Sequence, residues 1–312
     1  MTKIDVLVSE VGPRDGLQSI DTIMSTEDKK RWIKAEAAAG VREIEVGSFV
    51  PAKLLPQMAD TGEIVKYAKT LPGLTVTALV PNFFGAKNAI EAGVDKMCLP
   101  LSVSETHSQS NLRKSHSEVL KEVENIVQYI NSLEEAKRPE FEGNLSTAFG
   151  CTMEGPVAEK TVLSLGVQLM ELGCDELGLS DTTGYANPAQ IKRLIRLVKK
   201  EVGEQHLTSI HLHNTRGLGL ANALAALEEG ITTLDSSLGG IGGCPFAPRA
   251  TGNIASEDLC FMLRNMGFDT GVDVEKLIEV SEWAETFFEA PLPGQIMKAG
   301  LFPEVTRKSK FR

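Results

Sequence analysis

The sequence predicts an α/β fold, a (β/α)8 TIM barrel with a short C-terminal helical extension, from a repeated joint, a count of apolar runs and one absent motif. The joint is a helical stretch rich in Ala, Glu and Leu that ends at a glycine and passes directly into a short apolar run. It occurs at Gly40, Gly93, Gly173 and Gly230. A glycine just past a helix takes positive φ without a Cβ penalty, and the chain can then turn into a buried parallel strand. The glycines recur at intervals of about 53, 80 and 57 residues. Each interval is too long for one βα unit and fits two, with an insertion in the middle one. Four joints therefore imply eight units. No Gly-x-Gly-x-x-Gly follows the first run and the repeat does not break into halves, which disfavours an open doubly wound sheet.

Taken in order, strands are expected at about 4–10, 42–46, 74–80, 95–100, 144–149, 175–179, 207–212 and 232–236. Ser25 to Asp28 reads as a capping-box start to the helix that carries Trp32 and Ile33. The polar stretch Ser102 to Asn111 follows the fourth strand as either a solvated loop or part of a substrate lid, and a long helix spans about 115–133. Pro188 opens a later helix near its first turn. Beyond about 272 come one more amphipathic helix and a basic tail. The chain thus reads as a single catalytic domain over 1–312, with the barrel at about 4–270 and the extension at about 272–312.

Composition narrows the function. Hydrophobic residues at 42% and charged residues at 24% are ordinary for a globular chain, which argues against disordered, collagen-like and coiled-coil classes. A net charge of -10 opposes binding to nucleic acid or to an anionic membrane, but local cations can still hold a small anion. Cys98, Cys151, Cys174, Cys244 and Cys260 are scattered, odd in number and form no Cys-x-x-Cys pair. They read as reduced thiols of a cytoplasmic protein, with Cys98 and Cys174 in the core. The N-terminus enters a strand-like pattern after three residues, with no apolar signal core.

The residues that could do chemistry fall where a barrel keeps its site, at the C-terminal ends of strands. His211 and His213 lie two apart on the seventh strand, so both imidazoles face one side and can converge on one metal ion, or they are simply hydrogen-bonded polar residues. Arg14 and Asp15 follow the first strand, Glu45 and Ser48 the second, Asn82 the third, Asp181 and Thr182 the sixth. Any one of these could be a cap, a turn or a rim ion pair; their joint placement on one face points to a site. After the eighth strand, four glycines precede Cys244, giving either a flexible loop or backbone amides that approach an anion. A cysteine in such a loop is better placed for proton transfer than one inside a strand.

Four motifs then carry a resemblance: Val11-Gly-Pro-Arg-Asp-Gly-Leu-Gln18, the stretch Glu45 to Met58, His211-Leu-His213-Asn-Thr, and Gly242-Gly-Cys-Pro-Phe. In matching order over about residues 4–270, they resemble the 3-hydroxy-3-methylglutaryl-CoA lyase family, within a wider group of metal-dependent aldolase-type barrels that includes isopropylmalate, homocitrate and citramalate synthases. The Gly-Pro-Arg-Asp and Gly-Gly-Cys-Pro forms look like the lyases. The resemblance implies a divalent cation, Mg²⁺ or Mn²⁺, held by Asp15, His211, His213 and Asn253. It implies a retro-Claisen cleavage of an acyl-CoA thioester. Arg14 would offset charge on the thioester oxygen, Asp15 or His211 would act as base, Cys244 would protonate the enolate carbon, and Glu45 would orient Arg14 or a ligand. Gln18, Ser48, Asn82, Thr182 and Arg249 are the expected substrate contacts, and a homodimer is the family expectation.

Three positions depart from the family pattern: Asn214 for a usual Asp, Arg216 for an often aromatic residue, and Arg249 for a frequently Gly-like one. Arg249 could read a carboxylate or the CoA phosphates, or be a solvated loop cation. These departures leave 3-hydroxy-3-methylglutaryl-CoA and a relative such as citramalyl-CoA or a methylmalyl thioester as substrates. A Claisen-type synthase acting on a 2-oxo acid and a non-enzymatic binding barrel are the rival readings.

Overall fold

The computed structural model describes residues 3–242 and 252–302. Its eight parallel strands are β1 (Leu7–Glu10), β2 (Glu43–Ser48), β3 (Thr75–Leu79), β4 (Lys96–Ser102), β5 (Glu140–Ser146), β6 (Glu176–Asp181), β7 (Leu207–Leu212) and β8 (Thr233–Ser236). They form a closed barrel in sequence order, sealed where Glu10 of β1 pairs with Ser236 of β8. The strands fall close to the expected positions except β5, which begins and ends before the expected 144–149. Its sequence Glu140-Phe-Glu-Gly-Asn144 alternates polar and apolar residues, so it does not stand out as an apolar run.

Helices α1 (Thr26–Ala38), α2 (Thr61–Ala68), α3 (Phe83–Ala92), α4 (Glu105–Asn111), α5 (His116–Ser132), α6 (Glu159–Leu172), α7 (Pro188–Val202), α8 (Gly219–Leu227), α9 (Ser256–Asn265), α10 (Val274–Glu285) and α11 (Ile296–Ala299) follow the strands or extend the C-terminal side. Local chemistry sets their ends. Ser25 Oγ accepts the Asp28 amide at 3.1 Å to start α1, and Ser115 with Glu118 forms a full capping box on α5. At α7 the cap is Asn187, whose side chain accepts the Gln190 amide, with Pro188 as the first helical residue. Gly93 and Gly173 end α3 and α6 at φ 91° and 102°, the backbone region that the joint argument requires. The polar stretch after β4 is not a loop: Ser104 caps it and it winds into α4.

The apolar core lies between the strands and the helices. On α7 it takes Ile191, Leu194, Ile195 and Val198, one face of a helix, and on the strands it takes residues such as Ile44, Val76, Leu99, Leu177 and Leu234. The alternate strand residues point into the barrel, and there they are polar. Ser9, Glu43, Thr77, Lys96, Glu142 and Ser209 all line an interior cavity. Near the strand starts, Lys96 Nζ sits 2.9 Å from a Glu142 carboxylate oxygen and also contacts Glu176, so the buried cation is paired. Instead of the usual stack of branched aliphatic side chains, the barrel holds a polar shaft that opens into the site. Among the described residues, no helix is long and apolar enough to cross a membrane.

Candidate active site

The chain leaves β1 through a single π turn, Gly12–Gly16, which carries Arg14 and Asp15 to the C-terminal mouth of the barrel. Gly12 lets the turn pass close to its neighbours: a Cβ there would stand 2.5 Å from Glu10 Oε1 and 3.0 Å from Trp32, so these buried side chains would have to shift. Across the barrel, β7 delivers His211 and, just past its end, His213. Ligand atoms of Asp15, His211 and His213 all lie within 4.8 Å of one another, and all three residues are buried. Asn253 completes the group: its backbone bridges to His213, and its side-chain amide donates to Asp15 Oδ2 at 2.8 Å and to the Ile241 carbonyl at 3.1 Å. Both donations leave Asn253 Oδ1 buried without a partner among the described residues, and His213 Nδ1 is in the same position. A buried acceptor without a donor costs about 1–3 kcal/mol. A carboxylate, two imidazoles and an amide oxygen suit a divalent cation, so these residues could hold one.

The electrostatics agree. Burial would raise the Asp15 carboxyl, but Arg14 beside it, together with the two imidazoles, holds it well below the usual carboxylate range. Burial lowers His213, whereas for His211 the Asp235 carboxylate outweighs burial and raises it. Arg14 donates Nε to Glu45 at 2.5 Å and Nη1 to Asp15 at 2.6 Å, so its guanidinium is fixed beside the group. Burial still pushes the Glu45 carboxyl up to about 7 against the pull of Arg14.

Arg14, Asp15, Glu45, His211 and His213 line a cavity of about 520 Å³. Of the substrate contacts expected from sequence, Gln18, Asn82 and Thr182 are on its wall. Gln18 Nε2 donates to Asp15 Oδ1 at 2.8 Å, Asn82 caps α3, and Thr182 Oγ1 accepts the Thr147 amide. Ser48 is buried at the end of β2 and is not part of the cavity wall; its hydroxyl has no partner among the described residues. Asp181 turns to accept the Tyr185 and Ala186 amides and is likewise absent from the wall. Cys174 is buried as expected, but Cys98 is only half-buried and faces the cavity. Cys244 and Arg249 lie outside the described residues.

Sequence reasoning missed Asp235. Its carboxylate lies 3.1 Å from His211 Nδ1 across the β7–β8 register that pairs the two residues. The alternation along β8 would have turned Thr233 and Asp235 inward together, which is the signal that was available. Two departures from the family pattern have structural explanations. Asn214 accepts the Gly219 amide at the start of α8, while Arg216 donates to the Thr183 and Gly184 carbonyls and stacks on Tyr185 at 3.7 Å; neither lines the cavity.

The HMGL-like family model matches residues 5–283. The chain belongs to the HMGL-like family. This HMGL-like chain is 41% identical over 293 residues to a hydroxymethylglutaryl-CoA lyase of Bacillus subtilis, covering 93% of this chain and 95% of the relative. It is 37% identical over 317 residues to an (R)-citramalyl-CoA lyase of Chloroflexus aurantiacus, covering 98% of each. Among solved structures, an HMG-CoA lyase from Acinetobacter baumannii in complex with coenzyme A and 3-methylmalate superposes with a TM-score of 0.90 at 38% identity, covering 98% of this chain and 99% of that one. These relatives are carbon–carbon lyases, and the HMGL-like chain shares that enzyme class with them.

Proposed function

We propose that this protein is a divalent-metal-dependent acyl-CoA lyase that cleaves 3-hydroxy-3-methylglutaryl-CoA to acetyl-CoA and acetoacetate. The observation that carries the reading is the convergence of Asp15, His211 and His213 beside the clamped Arg14 in one chamber. Asp15, His211, His213 and the oxygen of Asn253 would hold Mg²⁺ or Mn²⁺. When bound, such an ion supplies Lewis acidity that makes a substrate hydroxyl easier to deprotonate.

The protein groups divide the remaining work. Asp15 or His211 takes the proton of the tertiary hydroxyl, and the O–H electron pair becomes the new carbonyl as the carbon–carbon bond breaks. The electrons of that bond pass to the thioester as an enolate. Arg14, held by Glu45, places its guanidinium where the thioester oxygen gains charge. Cys244 then gives its thiol proton to the enolate carbon. Gln18, Asn82, Thr182 and Arg249 are the proposed substrate contacts; Ser48, off the cavity wall, is not retained as one. The whole chain is read as one catalytic unit, forming a homodimer in the cytoplasm; the scattered thiols support the compartment.

The relative active on (R)-citramalyl-CoA matches as much of its own length as of this chain, so cleavage of citramalyl-CoA to acetyl-CoA and pyruvate is the second reading. A screen of 3-hydroxy-3-methylglutaryl-CoA, citramalyl-CoA and related 3-hydroxyacyl-CoA thioesters with Mg²⁺ or Mn²⁺ separates the two by the oxo acid released, acetoacetate or pyruvate. Release of no acyl-CoA from any of them would remove both.

A further inference from the structure

We propose that Arg113, at the junction between α4 and α5, receives the phosphate end of the CoA thioester at the mouth of the cavity. The inference rests on the acyl-CoA reading above and assigns the part of the ligand remote from the reacting bond. Four permanent cations line the cavity: Arg14, Lys96, Arg113 and Lys114. Three are committed. Arg14 serves Glu45 and Asp15, Lys96 serves Glu142 and Glu176 near the strand starts, and Lys114 pairs with Glu122. Arg113 is exposed and makes no hydrogen bond or ion pair among the described residues. It is therefore the cation on this wall with its full set of donors to offer.

The backbone points the same way. Arg113 has φ 56°, and Thr147 is the only other non-glycine residue with positive φ among the described residues. Just past a helix end this conformation is ordinarily given to Gly or Asn, because a longer L side chain costs about 1–2 kcal/mol there. The turn is pinned by Ser108 Oγ, which donates to the Lys114 carbonyl at 2.7 Å, so the strained backbone is held in place. Retaining a long cationic side chain at such a position has a use if an anion must be met there.

The neighbouring wall suits the rest of such a ligand. Val50, Pro51, Leu54 and Leu55 from the loop after β2, with Leu112 beside Arg113, give the cavity apolar lining, and Leu54 is 63% exposed. A thin, largely uncharged pantetheine arm can run along that lining and leave its phosphates at the guanidinium. On a chain of net charge -10, a polyphosphate end needs a local cation to be attracted at all. A guanidinium can grip two phosphate oxygens at once.

The test is titration calorimetry of CoA and of pantetheine, which lacks the nucleotide phosphates, against the wild type, R113Q and R113K, at low and moderate salt. R113Q should weaken CoA about tenfold, the worth of one charge-assisted contact near the surface, leave pantetheine unchanged and flatten the salt dependence. R113K should recover part of the loss. Equal CoA affinity in R113Q and wild type, or an equal loss for pantetheine, overturns the assignment. Thioester cleavage by wild type with unaltered CoA binding in R113Q removes this subsite and keeps the lyase. Arg113-dependent CoA binding without any cleavage keeps the subsite and removes the lyase.

Discussion

His211 Nε2 and His213 Nε2 stand 3.1 Å apart, with Asp15 Oδ2 3.8 Å from His213 Nε2. Two protonated rings would repel at that distance, and one proton between them leaves the remaining lone pairs of the group, including Asn253 Oδ1, unmatched. A divalent cation would match these acceptors together. His213→Ala should therefore lose metal while keeping the barrel, read by elemental analysis after dialysis alongside circular dichroism. A full metal complement in that variant would break the ligand assignment.

The Asp235 carboxylate on His211 Nδ1 fixes the ring and makes Nε2 the atom offered to a metal. Asp235→Asn should weaken metal binding about 10- to 100-fold, as loss of such a supporting carboxylate generally does, without disturbing the fold. Competition with a chelator gives the affinity. Unaltered affinity would make Asp235 a mere packing partner.

Cys244→Ser should bind metal and thioester as the wild type does and turn over about 10²- to 10⁴-fold more slowly, since a hydroxyl is a far poorer proton donor to carbon than a thiol. Steady-state kinetics with KM and kcat separated are the check. Wild-type kcat would remove the thiol from the reaction.

A buried pair of acids gives a pH dependence away from the metal group. Burial pushes the Glu10 and Glu257 carboxyls up to about 7, even though Glu10 Oε1 accepts the Gly12 and Leu238 amides and Glu257 Oε2 accepts the Gly239 amide. The folded chain thus keeps protons that the unfolded chain releases above about 4.5. Stability from each group is fully present below that pH, falls as the pH rises through about 7, and then levels. The change for Glu257 is on the order of 3 kcal/mol. Glu257→Gln should flatten the fall in denaturant midpoint between pH 5 and 8. A slope identical to wild type would mean that the carboxyl ionises normally in the folded protein.

The barrel was legible because its grammar is periodic: Gly93 and Gly173 close helices where the spacing required, and β7 occupies the expected 207–212. The polar shaft was not legible. Residues such as Glu142 and Asn144 interrupt the apolar pattern that marks a strand, and only the closed geometry shows that they line an interior shared with the polar residues of the other strands. Arg14, Asp15, His211 and His213 were found because their motifs put them at strand ends. Asp235 marks the limit, since alternation along β8 carried it without drawing attention to it; Asn253 was expected through the family resemblance alone, because its place rests on a bridge with His213 that local sequence does not encode.

The hydrogen bond from Asn253 to Asp15 spans 238 positions of sequence across the β1–β8 seam. A chain emerging from the ribosome N-terminus first carries Asp15 from the outset, yet the other members of its set, His211, His213 and Asn253, are missing until β7, β8 and the segment that follows have been made. At synthesis rates of about 5–20 residues per second, that interval lasts on the order of ten seconds or more. Throughout it, the first turn of the protein waits for the last. Capture of a metal ion by this set would therefore be a late event in the life of the nascent chain, and a prematurely stopped polypeptide lacking the final barrel unit would have no assembled set with which to sequester one.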